Sequence, residues 1–354
     1  MGACGRDDDP VLEGAGAELS AAGTTTTTEA ATTSTELPTT TAAPTTVPPP
    51  PPTTTTAAPQ VAAKAAPPAT TPPPTAPSPP GNLQPAPNAA GSIQPYAGLG
   101  TWVDVYDWSH YKGSTPTVGP DHVDQMADAG VQTLFIQTAK ADTPDDISEP
   151  ELLLPIIERA HARGLEVVAW YLPTLEDVDK DLRRLVASAN LQVDGIAVDI
   201  EARNVGDVGE RNRRLVDLSA RLRNALPGRA IGAIVLPPVV LEVINPNYWP
   251  SFPWRDIAPY YDVWQTMGYW TNRTEASGYR DAYRYTDENI RRMRNNLGTD
   301  VPVHPVGGIG DRTTEADLEG FLRAAVQQRS MGGSIYDWRT TNPGHWASLR
   351  RFRG

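Results

Sequence analysis

Asp194-Gly195-Ile196-Ala197-Val198-Asp199-Ile200-Glu201 alternates aliphatic with small or acidic side chains at a period of two, the pattern of a β-strand with two unlike faces. Ile196, Val198 and Ile200 suit the layer between a sheet and its covering helices, so Ala197, Asp199 and Glu201 turn the other way. Two carboxylates pointing into the interior of a parallel sheet are costly unless they are hydrogen-bonded or at work. Both stand at the C-terminal end of the strand, which is where closed eight-stranded barrels carry their active sites.

Working outward, the quoted strand (Gly195–Glu201) is the fourth of eight. The others are Thr101–Tyr106, Thr133–Gln137, Glu166–Tyr171, Ala230–Leu236, Asp262–Tyr269, Val303–Val306 and Gly333–Trp338. Amphipathic helical spacing separates several of them, over Pro150–Arg163 (stopped by Gly164), Asp177–Ala189, Glu210–Ala225, Asp287–Asn296 and Thr314–Arg329. Eightfold strand–helix alternation predicts an α/β fold, a (β/α)8 TIM barrel. An open doubly wound sheet is the competitor, but no Gly-x-Gly-x-x-Gly follows a strand. The fifth unit departs from the pattern with a long aromatic segment, Asn245–Trp254. Tyr248, Trp249, Phe252 and Trp254 there form either a sugar-stacking wall or a cover over the barrel edge.

Composition divides the chain of 354 residues. Residues 1–95 contain no Trp, Tyr or Phe and are built from Thr, Pro and Ala, including Thr24–Thr28 and Pro48–Pro52. Such a segment cannot bury enough apolar surface to offset its chain entropy and is expected to be a disordered, semi-extended tether. The remaining stretch, 96–354, matches the roughly 250 residues usual for a TIM barrel. Net charge is −12, of which the tether contributes two basic and seven acidic side chains, leaving −7 for the barrel. That surface disfavours nucleic acid, whose binding needs Lys and Arg on phosphates. No apolar run reaches the length of a membrane span. Cys4 is the only cysteine, which excludes an intrachain disulfide and a cysteine-based metal site.

Strand parity supplies the candidate site. On the first strand Asp104 and Tyr106 are expected inward, with Asp107 at the rim. Gln137 is expected inward on the second, and Tyr171 or Trp170 on the third. Gln265, Met267 and Tyr269 share a face of the sixth; Tyr336 and Trp338 share one on the eighth, with Asp337 beside them. Acidic, aromatic and amide groups converging in one mouth suit a polyhydroxylated ring, with aromatic faces on its C–H surfaces and polar groups on its hydroxyls. Glycoside cleavage needs a proton donor at the leaving oxygen and negative charge near the developing oxocarbenium ion. Residues i and i+2 on a strand have Cα atoms ~6.5–7 Å apart, a spacing that lets two carboxylates act on one bond. Repulsion between them raises one pKa. Glu201, nearer the mouth, is the expected acid, with Asp199 orienting and Asp104 supporting. Three other readings stay open: carboxylates that only pair with arginines or close a hydrogen-bond network, a barrel that binds glycan without cleaving it, and a structural domain with a filled mouth.

Asp194-Gly-Ile-Ala-Val-Asp-Ile-Glu201 resembles the fourth-strand signature of family 18 glycoside hydrolases, D-G-x-D-x-D-x-E. The resemblance implies a chitinase-like barrel in which Glu201 is the acid and Asp199 assists the substrate's own acetamido group. Gln265-Thr-Met-Gly-Tyr269 resembles the sixth-strand M-x-Y motif, which implies that Tyr269 contacts the acetamido oxygen, and Trp338 sits where a last-strand Trp floors the sugar site. Ala197 departs from the signature's inner Asp, Trp270 stands where an Asp would follow the Tyr, and the second strand has no S-x-G-G. Trp270 is grouped with the sugar-binding set. More loosely, Val103-Asp-Val-Tyr-Asp-Trp108 with Asp199-x-Glu201 resembles family 25 lysozymes. Gly2-Ala3-Cys4-Gly5 resembles the cleavage end of a bacterial lipobox, which implies lipid attachment at Cys4 and an extracellular or cell-surface location; the positive and apolar parts of a signal peptide are missing.

The remaining candidates are weaker. His304 reads as a satisfied core histidine. Gly307-Gly-Ile-Gly-Asp311 reads as a plain turn before an anion cradle. Arg203 and Arg273, on loops of the active face, bind a carboxylated or phosphorylated sugar or pair with surface acids. No His cluster has metal spacing and no Gly-x-Ser-x-Gly elbow occurs, so neither metal nor cofactor is expected.

Overall fold

The structure, a computed structural model, describes residues 91–353. The expected tether and Cys4 lie outside the described residues. Eight parallel strands, β1 (Gly98–Val103), β2 (Thr133–Gln137), β3 (Glu166–Tyr171), β4 (Gly195–Ile200), β5 (Ile231–Val235), β6 (Val263–Thr266), β7 (Val306–Ile309) and β8 (Gly332–Tyr336), pair in the order β6-β5-β4-β3-β2-β1-β8-β7. Bridges Trp264↔Val303 and Met267↔Val306 join β6 to β7 and close the ring. Around it run α1 (Val105–Trp108), α2 (Pro120–Ala129), α3 (Pro150–Ala162), α4 (Val178–Ala189), α5 (Val208–Ala225), α6 (Trp254–Ile257), α7 (Ala282–Leu297), α8 (Glu315–Gln327) and α9 (Trp346–Leu349). The barrel is the expected one.

Capping explains where the helices begin. Asp177, Asp207, Asp281 and Thr314 each accept a backbone N–H from the first turn of α4, α5, α7 and α8. Each is worth about 1 kcal/mol. In the fifth unit a turn at Val240–Ile244 and the four-residue α6 replace a full helix. Trp249, Phe252 and Trp254 are buried there and pack on one another, so they cover the barrel edge.

Two strand boundaries differ from expectation. The first strand ends at Val103, because the Asp104 carboxylate accepts the Tyr106 N–H and starts α1. Tyr106 therefore sits on a rim helix and not inward on a strand. The seventh strand begins at Val306, so the glycines expected to turn lie largely within β7. A Cβ on Gly307 or Gly308 would approach the Trp270 ring to 2.8 Å, and their bareness makes room for that indole.

The lower half of the barrel interior is closed. Tyr96 enters from below and donates its hydroxyl to the Ile196 and Ala230 carbonyls, at 2.7 and 3.1 Å. A Cβ on Gly195 or Gly232 would strike its ring at 2.8 Å. His304 is fully buried, with Nδ1 2.8 Å from the Tyr96 carbonyl and Nε2 3.1 Å from Ser334 Oγ. A carbonyl only accepts, so Nδ1 carries the proton and Ser334 donates to Nε2; Ser334 in turn accepts from Trp102 Nε1. Burial lowers His304 to about 4, and it stays a neutral core histidine. Asp194, the first residue of the quoted strand, accepts the Val167 N–H and meets His161, tying the base of β4 to β3.

Candidate active site

Above that plug, at the C-terminal ends of the strands, lies a narrow recess lined by Trp102, Gln137, Trp170, Asp199, Glu201, Tyr269 and Tyr336, among others. Parity places them. Even-numbered residues of β1, β3 and β8 and odd-numbered residues of β2 and β4 face inward, so Trp102, Trp170, Tyr336, Gln137 and Asp199 meet. Trp102 stacks on Phe135 at 4.3 Å and meets Trp170 edge-on at 6.0 Å. Tyr336 and Tyr269 meet at 5.8 Å. The result is an aromatic basin under the two carboxylates.

Asp199 and Glu201 are each 7% exposed, and Asp199 Oδ1 and Glu201 Oε2 have no hydrogen-bond partner among the described residues. Burial pushes Glu201 up to about 7, and Lys140 restrains the rise. Burial and then the Glu201 charge hold Asp199 well above the usual carboxylate range. Both carboxyls therefore hold their protons to higher pH than an exposed carboxylate does. Lys140 comes from the β2–α3 loop, which Arg184 of α4 clamps through the Lys140 carbonyl and both oxygens of Thr143. Its ammonium lies 5.1 Å from the centre of the Tyr106 ring, and burial lowers its pKa.

A second acidic group adjoins the recess. One carboxylate oxygen from each of Asp104, Asp107 and Asp337 lies within 4.8 Å of the others, close enough to hold a cation. In this chain Tyr336 Oη donates to Asp104 at 3.0 Å, Arg339 Nε lies 3.2 Å from Asp107, and the Thr340 N–H reaches Asp337 at 2.8 Å. Burial and mutual repulsion push Asp104 up to about 6 and Asp107 to about 8.

Among the expected site residues, Asp199, Glu201, Gln137 and Tyr269 line the recess. Gln137 also accepts the Val105 N–H. Gln265 is inward but lies lower, beside Gly232 and Tyr96. Tyr171 faces the helix layer, where it donates to Asp181 at 2.8 Å, so Trp170 is the inward residue of β3. Trp270 is fully buried against Phe321 of α8. Trp338 follows the end of β8 and packs on Trp346 at 5.1 Å, outside the recess. Arg273 is buried near Tyr285 and does not line it either. Trp102, Lys140 and Leu172 line the recess without having been picked out. Parity counted back two residues from Asp104 reaches Trp102; Lys140 and Leu172 sit just past strand ends, where sequence carries no such rule.

Two grooves continue the recess across the barrel face. One shares Lys140 and Leu172 with it and runs past Tyr111 and Asp142; the other shares Leu172 and Glu201 and runs past Arg203, Arg211 and Tyr248. Glu201 thus stands where the inner recess opens to the barrel face.

The barrel fold has counterparts among solved structures. The chain shares its fold with glycoside hydrolases of more than one family. A family 18 chitinase from Cycas revoluta, in complex with allosamidin, superposes with a TM-score of 0.54 at 10% identity, over 73% of this chain and 100% of that one. The spore cortex-lytic enzyme SleL of Bacillus cereus gives 0.52 at 10% identity, over 73% and 74%. An endo-1,4-β-D-mannanase from Thermotoga petrophila gives 0.50 at 9%, over 68% and 88%. No family model and no curated protein sequence matches the chain. At these identities the likeness establishes the TIM-barrel fold alone.

Proposed function

We propose that this barrel is a glycoside hydrolase, with Glu201 as general acid and Asp199 as its partner. The observation that carries the reading is the buried Glu201 carboxyl, set with Asp199 at the junction of an aromatic basin and an open groove; burial pushes it up to about 7. A carboxyl with that pKa is protonated for much of the time at neutral pH and can protonate a leaving oxygen. Asp199, whose own carboxyl burial also holds above the ordinary range, orients and supports Glu201. Trp102, Trp170 and Tyr269 hold the sugar, and the second carboxylate cluster, through Asp104 and Tyr336, fixes one wall. The substrate class is an envelope or extracellular polysaccharide. Acylation of Cys4, with residues 5–95 as spacer, would keep the barrel at that polysaccharide; membrane partition of the full chain that survives Cys4→Ser would refute the anchor.

The experiment is release of reducing ends from a panel of cell-wall and extracellular polysaccharides, by the full chain and by Glu201→Gln. Hydrolysis by the parent, reduced at least about a hundredfold in the variant, is the expected result. A second reading, glycan binding without cleavage, draws on Ala197, which leaves the strand one carboxylate short of the family 18 pattern. Equal binding of one glycan by parent and variant, with cleavage by neither, would establish it instead.

A further inference from the structure

Resting on that reading, we propose that the groove beyond Glu201 is an anion subsite, which binds a carboxylate or phosphate group on the sugar unit adjoining the scissile bond. The groove, about 1130 Å³ and open to solvent, is lined by Glu201, Arg203, Asn204, Arg211, Asn247 and Tyr248, among others. Arg211 is 3% exposed, its Nε has no hydrogen-bond partner, and no carboxylate pairs with it or with Arg203 among the described residues. Many other arginines of the chain are ion-paired. Arg159, Arg163, Arg213, Arg214, Arg221 and Arg223 all sit against Asp or Glu, as befits a domain with a net charge of −7.

Two neighbouring guanidinium groups, one of them buried, repel each other, and among the described residues no carboxylate is ion-paired with either. Burial and the Arg203 charge hold Arg211 below the usual arginine range. Aromatic faces set the orientation of both. Arg211 lies 4.3 Å from the Trp249 ring centre and Arg203 lies 4.1 Å from that of Tyr248. A stacked guanidinium keeps its N–H edge for a planar, bidentate oxygen ligand. Trp249 is itself locked by Asn212 Oδ1 at 2.7 Å, so the platform under Arg211 is rigid. Gly206 and Val208, also in the lining, bring the N-terminus of the 18-residue α5 to the groove, and its partial positive charge favours the same occupant. The cost of the unpaired arginines is thereby repaid when an anion arrives.

The test is equilibrium binding of D-glucuronate, glucose 6-phosphate and glucose to the full chain, measured by titration calorimetry. Monosaccharides enter whatever linkage the natural chain has. At least one anion is expected to bind tenfold or more tightly than glucose, and which one does so separates a carboxylated from a phosphorylated glycan. Arg203→Gln and Arg211→Gln should each weaken that anion about tenfold or more while leaving glucose unchanged. Arg203 is exposed, so its variant folds even if loss of Arg211 disturbs the platform. Anions that bind no better than glucose, or binding unmoved by Arg203→Gln, would overturn the proposal. The catalytic reading fails separately. Anion binding with no hydrolysis of any polysaccharide would remove the enzyme and leave the subsite, whereas cleavage of neutral glycans without anion binding would do the reverse.

Discussion

Glu201→Gln should make the protein more stable at alkaline pH while abolishing its activity. The carboxyl moves from an ordinary 4.5 in the unfolded chain to about 7 in the folded one, through burial. Between those values the unfolded chain has released the proton that the folded chain retains, so stability falls as pH rises through this window. Below 4.5 both states are protonated and nothing is lost. Above 7 the loss is complete, and the gap of roughly 2.5 units corresponds to about 3 kcal/mol. Glutamine has the shape of the protonated acid and no proton to release. Relative to the parent, the variant should therefore gain about 3 kcal/mol between pH 4 and pH 9, or roughly 6–12 °C in melting temperature for a domain of this size. Relief of Asp199, which feels the Glu201 charge, adds to the gain. The assay is urea denaturation of both proteins at closely spaced pH values. A stability difference that is the same at pH 4 and pH 9 would mean that Glu201 titrates normally, and its role as the neutral-pH acid would fall with it.

Other outcomes follow from the same geometry. Lys140→Met removes the cation that lowers Glu201 and Asp199, so the alkaline limb of kcat/KM should move to higher pH; a limb that stays or moves down contradicts the electrostatics. Trp270→Ala should cost about 3–5 kcal/mol by opening a cavity between β7 and α8, with glycan affinity retained in calorimetry at low temperature. A stable variant that has lost its glycan would restore Trp270 to the sugar site. Tyr171→Phe should cost about 1–3 kcal/mol, because Asp181 loses a buried donor, and leave kcat and KM unchanged. A change in KM would bring Tyr171 back to the recess.

The barrel was legible because burial enforces period two along the strands and capping marks the helix starts. The quoted strand shows both faces in eight residues, and its acidic face is the one that enters the recess. Legibility failed where a short-range contact overrode the period. A two-residue hydrogen bond at Asp104 ended β1 and carried Tyr106 to the rim. Past the end of β8 parity had no meaning, and Trp338 followed Trp346 instead of Tyr336. Trp170 and Tyr171, adjacent and both aromatic, were indistinguishable until Asp181, on the helix packed outside, claimed the hydroxyl of one. Trp270 reads as polar-tipped and available in sequence, yet two glycines on the next strand leave a slot for it.

Ala197 ties these observations together. A third carboxylate on β4 would lie level with Trp170, in register across β3 and β4, where the interior is already apolar. Its absence leaves two buried carboxylates to be balanced. Burial raises the pKa of both, and the Lys140 ammonium opposes that rise from the rim. The Asp104 group reaches balance by another route, with protons retained on Asp107 and donors from Tyr336 and Arg339. Along the groove beyond Glu201, Arg203 and Arg211 stack on Tyr248 and Trp249 and have no carboxylate partner among the described residues. On the proposed reading of that groove, the charge that balances Arg203 and Arg211 arrives with the ligand.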